Sequence, residues 1–189
     1  MARPLFTPPV IRLLAGALAA LMLRPAFTEA SVRQKSRAPC SAPEYHQWDF
    51  WLGNWRVTDL HGAFQGTNEI KAAPGGCGLI ENWIGAEGGR GTSFNGYDSV
   101  RRTWTQFWLS SGSVIRLEGN LDSHGVMRTA GTITYNARRI LHPFRGVWTP
   151  LLGGAVKQEF YEYDPGTKLW HEWFTGIYRH PDEPAKQSG

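Results

Sequence analysis

The sequence has little cysteine, few charge clusters and few long apolar runs, and each shortage argues against a class of protein. Of 189 residues, 19% are charged and two are cysteines. Beyond residue 30 no apolar run reaches the roughly 20 residues of a membrane-spanning helix. The tight basic pairs are Arg101-Arg102 and Arg138-Arg139, both at predicted turns. Nucleic-acid-binding proteins usually carry a clustered basic face, so we expect no nucleic-acid partner and no membrane span in the mature protein.

The first 30 residues have the features of a secretory signal peptide. Residues 10–23 are apolar apart from Arg12, a cationic Arg3 precedes them, and small residues surround Ala30. This order of a basic start, an apolar stretch and a small-residue exit is typical of a cleaved leader. We therefore expect residues 1–30 to be removed and the mature protein to be exported, to the periplasm or the extracellular space.

The rest of the chain divides into an arm, one domain and a tail. Residues 31–43 are polar and basic, and residues 181–189 are polar, so we expect a flexible N-terminal arm and a disordered tail. Residues 44–180 are long enough for one domain with its own core. The sequence does not indicate an oligomeric state.

The two cysteines are Cys40 and Cys77. In an exported chain two cysteines favour one disulfide, which would tie the arm to the domain. The alternative is a buried free Cys77 with an unpaired Cys40, because spacing alone does not show that two sulfurs meet.

Aromatic residues are concentrated in residues 46–57, HQWDFWLGNWRV, which contain three tryptophans and a phenylalanine. Gly53 and Trp55 stand where an irregular entry segment gives way to the first strand. A large ring beside a glycine suits the plugged end of a β-barrel, because the ring fills the floor and the glycine lets the backbone come close.

Turn residues recur at short intervals and divide the domain into strand-sized segments. These segments are rich in β-branched and aromatic residues, and none has a helical period longer than two turns. Consecutive short strands favour an antiparallel meander, and closing a meander removes its exposed edges. We predict an all-β fold, an antiparallel up-and-down barrel of about ten strands, with a two-sheet sandwich as the alternative. The turns fall at 61–62, 74–76, 87–89, 98–99, 111–112, 124–125, 136–137, 153–154 and 164–166.

Alternation along four of these strands places large aromatics and uncharged polar groups on one face. Such a face is unlike a solvent face and unlike an ordinary aliphatic core. Apolar walls with sparse polar groups are what a small-molecule cavity needs. The alternative is a filled barrel in which these polar groups satisfy one another or bound water. The predicted ligand-binding residues are Glu81, Trp83, Ser93, Asn95, Tyr97, Trp104, Gln106, Trp108, Arg145 and Gln158.

In this set the aromatics would stack on a small, partly apolar ligand, and the polar groups would orient it. We expect Arg145 to balance Glu81 or to hold an anionic end of the ligand.

An ordered set of motifs runs along the domain, at residues 49–57, 76–83, 91–98, 104–108, 141–142, Arg145, 148–150, 156–158, Trp170 and 176–179. These motifs resemble an uncharacterised family of secreted bacterial proteins that is known as a domain of unknown function. The resemblance implies a lipocalin-like barrel and no established activity. Gly53-x-Trp55 is also similar to the start of lipocalins.

An enzyme is an alternative that the sequence favours less. The nearest nucleophile pattern, residues 91–95 (GTSFN), lacks the final glycine and the strand-to-helix context of a nucleophile elbow, and we predict a strand there. Glycoside chemistry needs two inward carboxylates, whereas alternation points inward only at Glu81, with Glu172 a distant second. Glu81 alone is the candidate general acid or base.

Two further alternatives are haem binding and a pure interaction module. His142 and His171 are the candidate haem ligands, and if Trp170 faces the cavity then His171 faces out. A single histidine in a barrel is usually structural, and no spacing typical of a zinc site is present, so we predict no cofactor. An interaction module would instead use outer aromatics as a contact patch, with Phe107, Tyr161 and Trp173 as candidates.

Overall fold

Ten strands make up most of residues 38–181, the part of the chain that the computed structural model describes. They occupy the segments between the predicted turns, and the all-β prediction is confirmed. The strands are β1 (Gly53–Thr58), β2 (Phe64–Ala72), β3 (Gly78–Gly85), β4 (Arg90–Asp98), β5 (Thr103–Ser110), β6 (Ser113–Leu121), β7 (Met127–Tyr135), β8 (Ile140–Pro150), β9 (Val156–Asp164) and β10 (Leu169–Arg179).

Each strand pairs antiparallel with the next, and β1 pairs with β10 to close the barrel. The closing register places Arg56 opposite Arg179 and Thr58 opposite Ile177. The up-and-down barrel is therefore confirmed, and the two-sheet sandwich is wrong. Closure satisfies the backbone groups that a first and a last strand would otherwise leave unpaired.

An up-and-down barrel has its connections alternately at two ends. The connections that follow β1, β3, β5, β7 and β9 lie at one end, which we call the open end. Those that follow β2, β4, β6 and β8 lie at the other, the closed end. Inward-facing side chains of one strand therefore lie at different distances from the open and the closed end. This distance decides which of them can line a cavity near one end.

Two short 3-10 helices, Pro43–His46 and Asp49–Trp51, place a tryptophan plug in the closed end. Trp48 and Trp51 are fully buried, and the Trp48 ring centroid lies 4.8 Å from that of Trp148 and 5.6 Å from that of Trp104. The Trp55 indole donates a hydrogen bond to the carbonyl of Trp51 at 2.9 Å. The aromatic segment thus fills one end of the barrel, as its composition predicts.

Cys40 and Cys77 form a disulfide, with 2.05 Å between the sulfurs and 5.0 Å between the Cα atoms. The disulfide prediction is confirmed, and the alternative of two free cysteines is wrong. The bond ties the segment before the plug to the connection between β2 and β3. Closing a 37-residue separation stabilises a fold by about 4 kcal/mol on the chain-entropy model.

The predicted signal peptide lies outside the described residues, as do residues 31–37 of the predicted arm and residues 182–189 of the predicted tail.

Two further 3-10 helices, Pro74–Gly76 and Leu152–Gly154, lie in closed-end connections. Within residues 38–181 no helix has the length and apolar character needed to cross a membrane.

Candidate functional site

A cavity of about 130 Å³ lies inside the barrel, in the half nearer the open end. Its polar side is made by Glu81 of β3, Gln106 of β5, Gln158 of β9 and Tyr178 of β10. Its apolar walls are the side chains of Trp83, Trp108, Ile115, Phe160, Trp173 and Phe174. Alternation explains most of the set, because the lining positions 81 and 83, 106 and 108, and 158 and 160 lie two positions apart on their strands and so face the same side.

Glu81 is the carboxyl group of the cavity, and it is 3% exposed. Its Oε1 accepts a hydrogen bond from Asn68 Nδ2 at 2.7 Å, and its Oε2 accepts one from Ser93 Oγ at 2.6 Å. Burial raises the pKa of Glu81 to about 7, although both hydrogen bonds act to lower it. Glu81 therefore exchanges a proton near neutral pH, unlike an ordinary glutamate.

Other buried polar groups support this arrangement. Asn95 Nδ2 donates to Ser93 Oγ at 2.9 Å, so Asn95, Ser93 and Glu81 form a chain of hydrogen bonds. The Tyr178 hydroxyl donates to Gln158 Oε1. Burial, and then the nearby charge of Glu81, raise the pKa of Tyr178 well above its ordinary value, so this phenol stays protonated and acts as a donor.

Two cavity tryptophans lie against glycines of neighbouring strands. A Cβ built on Gly66 would lie 2.7 Å from the Trp83 ring, and one built on Gly91 would lie 2.0 Å from the Trp108 ring. Real Cβ atoms do not approach a ring so closely. The absence of a side chain at the two glycines therefore leaves room for both rings beside the neighbouring strands.

The rim of the open end carries a polar network from four strands. The Tyr135 hydroxyl donates to Glu162 Oε2 at 2.6 Å, and His142 Nδ1 bonds the other oxygen of Glu162. The Trp173 indole donates to the Tyr135 hydroxyl at 2.9 Å. Burial, with the bond to Glu162, raises the pKa of Tyr135 to about 12. The network holds Trp173, which is 42% exposed, at the edge of the cavity.

Five predicted ligand-binding residues line the cavity, and four others lie inside the barrel away from it. Ser93 and Asn95 lie behind Glu81 and reach the cavity through it. Tyr97 and Trp104 lie at the closed end, where the Trp104 indole donates to the Glu44 carbonyl at 3.1 Å. The five lining residues are Glu81, Trp83, Gln106, Trp108 and Gln158.

The expected position of Arg145 beside Glu81 is wrong. Phe144 and Gly146, its neighbours in β8, are buried inside, so the Arg145 side chain extends from the outer surface. Its guanidinium lies 3.7 Å from the centroid of the Trp170 ring and 5.8 Å from that of Tyr161. The expectation that His171 faces outward depends on Trp170 facing the cavity. Trp170 instead lies on the outer surface with Arg145, so this argument does not apply to His171.

The prediction of Trp173 as an outer residue is wrong as well. The register of β10 against β9 shifts between Glu172 and Phe174, which leaves Trp173 as the extra residue of a β-bulge. A bulge redirects the side chain that it contains. Trp173 turns to the rim, where its centroid lies 5.4 Å from that of Phe144, instead of joining an outer aromatic patch.

Neither candidate haem ligand lines the cavity. His142 is engaged by Glu162 at the rim, and an exposed His171 bonds Thr167 Oγ1 at 3.1 Å. Residues 91–95, the nearest nucleophile pattern, are extended within β4 as predicted.

Several functional positions were missed by sequence reasoning. Asn68 shares the buried face of β2 with Gly66 and Ile70. The same alternation that predicts the inner faces of the other strands therefore also predicts an inward Asn68. Phe174 and Tyr178 follow the bulge, which breaks the alternation in β10. The rim network draws single residues from β7, β8, β9 and β10 and leaves no contiguous signal in the sequence.

Comparison with family models and with curated proteins finds no match for this chain. The fold and the site define a closed β-barrel with a buried aromatic cluster and an internal cavity.

Proposed function

We propose that this protein is exported and binds one small, partly apolar molecule inside its barrel. The proposal rests on the composition of the cavity wall, which combines apolar side chains with a few polar ones. Six side chains supply apolar surface, while Glu81, Gln106, Gln158 and Tyr178 supply polar groups. Small-molecule sites combine apolar walls with a few placed polar groups in this way.

The cavity volume limits the ligand. Drug-sized ligands occupy pockets of about 300–1,000 Å³, whereas this cavity measures about 130 Å³. An engineered apolar cavity of about 150 Å³ binds benzene. The ligand, or the part of it that enters the barrel, is therefore about the size of one ring. A larger molecule would extend past Trp173 into solvent.

Export is part of the same proposal. A leader at residues 1–30 would bring the chain to an oxidising compartment, where disulfides persist, and the Cys40–Cys77 bond suits that location. The ordered motifs that resemble the secreted domain-of-unknown-function family support the same proposal.

A second candidate function is catalysis with Glu81 as general acid or base. A carboxyl group with a pKa of about 7 suits proton transfer near neutral pH, because general catalysis is most effective when the pKa lies near the working pH. A reaction catalysed on the bound molecule would stop in Glu81→Gln, whereas a binding function requires no turnover.

The proposal is tested by blocking the cavity and measuring ligand-induced stabilisation. Ile115 lines the cavity, and Ile84 is 41% exposed on the same barrel, so Ile115→Phe and Ile84→Phe make the same change inside and outside. In a thermal-shift screen of single-ring compounds, hits should raise the Tm of the wild type and of Ile84→Phe, but not that of Ile115→Phe. Equal shifts in all three proteins would place binding elsewhere and contradict the proposal.

A further inference from the structure

We propose that the ligand is a small organic cation, an ammonium group carried on one ring or on short alkyl groups, which pairs with Glu81. This inference rests on the proposed function, since it names the chemical class of molecule that the cavity takes. It follows from the charges, hydrogen bonds and rings that surround Glu81.

The cavity holds a carboxyl group without a basic partner. Among the described residues, the ten that line the cavity include Glu81 and no lysine, arginine or histidine. Arg145, the cation expected from the sequence, lies on the outer surface against Trp170. A buried carboxylate without a counter-charge is costly, and a ligand cation would supply that charge from the cavity side.

Glu81 also has acceptor capacity to spare. An ionised carboxylate offers about four lone-pair positions, and the described partners, Asn68 and Ser93, use one on each oxygen. Both partners are uncharged. Because Glu81 lines the cavity, its remaining acceptor positions are available to N–H donors of a ligand.

The walls suit a cation as well as an apolar group. The side chains of Trp83, Trp108 and Phe174 lie around the same space, with the ring centroids of Trp83 and Phe174 6.0 Å apart. Ring faces attract ammonium groups, and aromatic cages are a common means of binding quaternary ammonium ligands. A carboxylate beside such rings favours a cation over an anion of the same shape.

The other titratable groups near Glu81 do not supply its charge partner. Tyr178 on β10 faces Glu81 and stays protonated because its pKa is raised. Asn68 on β2 and Ser93 on β4 are neutral. Glu162 and His142 bond each other at the rim, outside the set of residues that line the cavity.

Calorimetric titration of the mature protein tests this with ligands matched in shape. Benzylammonium, benzyl alcohol and benzoate present one ring with a positive, a neutral and a negative group. At pH 8.5 we expect benzylammonium to bind at least tenfold more tightly than benzyl alcohol, and benzoate to bind more weakly than both. Glu81→Gln should remove the preference for benzylammonium and leave benzyl alcohol within about twofold. Glu159→Gln, on the outer surface, is the control and should change nothing.

A second measurement uses the wild type alone, in case Glu81→Gln folds poorly. The charge of tetramethylammonium is fixed, so any change in its affinity with pH comes from the protein. We expect binding at least tenfold tighter at pH 8.5 than at pH 5.5, because Glu81 loses its proton between them.

The outcomes separate the two proposals. If benzyl alcohol binds as tightly as benzylammonium, or if tetramethylammonium binding is independent of pH, the cation inference is wrong while the binding function stands. If none of the four probes binds, both the inference and a single-ring binding function fail.

Discussion

The indole ring of Trp108 occupies the space beside Gly91 where any other residue would carry its Cβ: a Cβ built there would lie 2.0 Å from the ring. The two residues sit on neighbouring strands, β4 and β5, and both lie on the inner face. The position of a main cavity wall therefore depends on the absence of one methyl group.

Gly91→Ala should push the Trp108 ring toward the centre of the barrel. Overpacking of this kind costs about 1–3 kcal/mol, which lowers the Tm of a domain of this size by roughly 3–10 °C. Gly96→Ala is a matched control in the same strand, since no heavy atom lies within 4 Å of a Cβ there. Equal Tm values for the two variants, measured by calorimetry, would show that Trp108 yields without cost.

Glu81 should make the fold less stable as the pH rises. Its pKa is raised from 4.5 to about 7, so between those pH values the folded protein holds a proton that the unfolded chain has lost. Stability from this group is present below pH 4.5 and is lost as the pH rises to about 7. At about 1.4 kcal/mol per pKa unit the loss is about 3 kcal/mol.

Glu81→Gln should remove that loss, because an amide does not titrate. Urea unfolding should find the variant close to the wild type near pH 4.5 and more stable than the wild type at pH 8. Glu87→Gln, in the exposed connection between β3 and β4, should follow the wild type at both pH values. If Glu81→Gln also follows the wild type at both, Glu81 is not titrating in the folded protein as described.

Reduction of the Cys40–Cys77 bond should destabilise the barrel. Opening the loop returns chain entropy to the unfolded state, and we expect the free energy of unfolding to fall by about 4 kcal/mol. Guanidinium unfolding with and without a reductant measures this. A variant with both cysteines changed to serine should unfold like the reduced protein and be insensitive to the reductant; a reductant effect on that variant would point to a cause other than the disulfide.

Tyr135→Phe should loosen the rim. The change removes the oxygen that accepts the Trp173 indole bond at 2.9 Å, while the ring itself is kept. We expect the Trp173 indole proton to exchange with solvent at least tenfold faster, as measured by NMR. Tyr163→Phe, a change on the outer surface where Tyr163 packs on Trp170, should leave that exchange rate alone. Similar rates in all three proteins would mean that the bond does not hold Trp173.

The fold could be predicted from the sequence because its signals are local. Turn residues mark every connection, and alternation gives the inner face of β3, β4, β5 and β9, including Glu81 and Gln106. Trp48 and Trp51 lie in an irregular, aromatic-rich segment that ends at Gly53. That combination predicts that the segment plugs one end of the barrel.

Alternation fixes the face of a side chain but not its depth along the barrel. Tyr97 and Trp104 share the inner face with Ser93 and Gln106, yet they lie at the plug because their strand ends are at the closed end. The charge of Glu81 favours an inward Arg145, whereas alternation with its inward-facing neighbours Phe144 and Gly146 indicates the outward position that the structure shows.

The bulge in β10 and the rim network depend on contacts between strands. An extra residue at Trp173 reverses the faces that follow it, and nothing in the local sequence marks that point. Tyr135, His142 and Glu162 come together only when β7, β8 and β9 are paired in register.

The most direct test of the proposed ligand-binding function is native mass spectrometry of the protein purified from the cells that naturally produce it. The account predicts an added mass of one small molecule on the wild type and on Ile84→Phe, and none on Ile115→Phe. A folded wild type that carries no added mass, indistinguishable in this respect from Ile115→Phe, would contradict it.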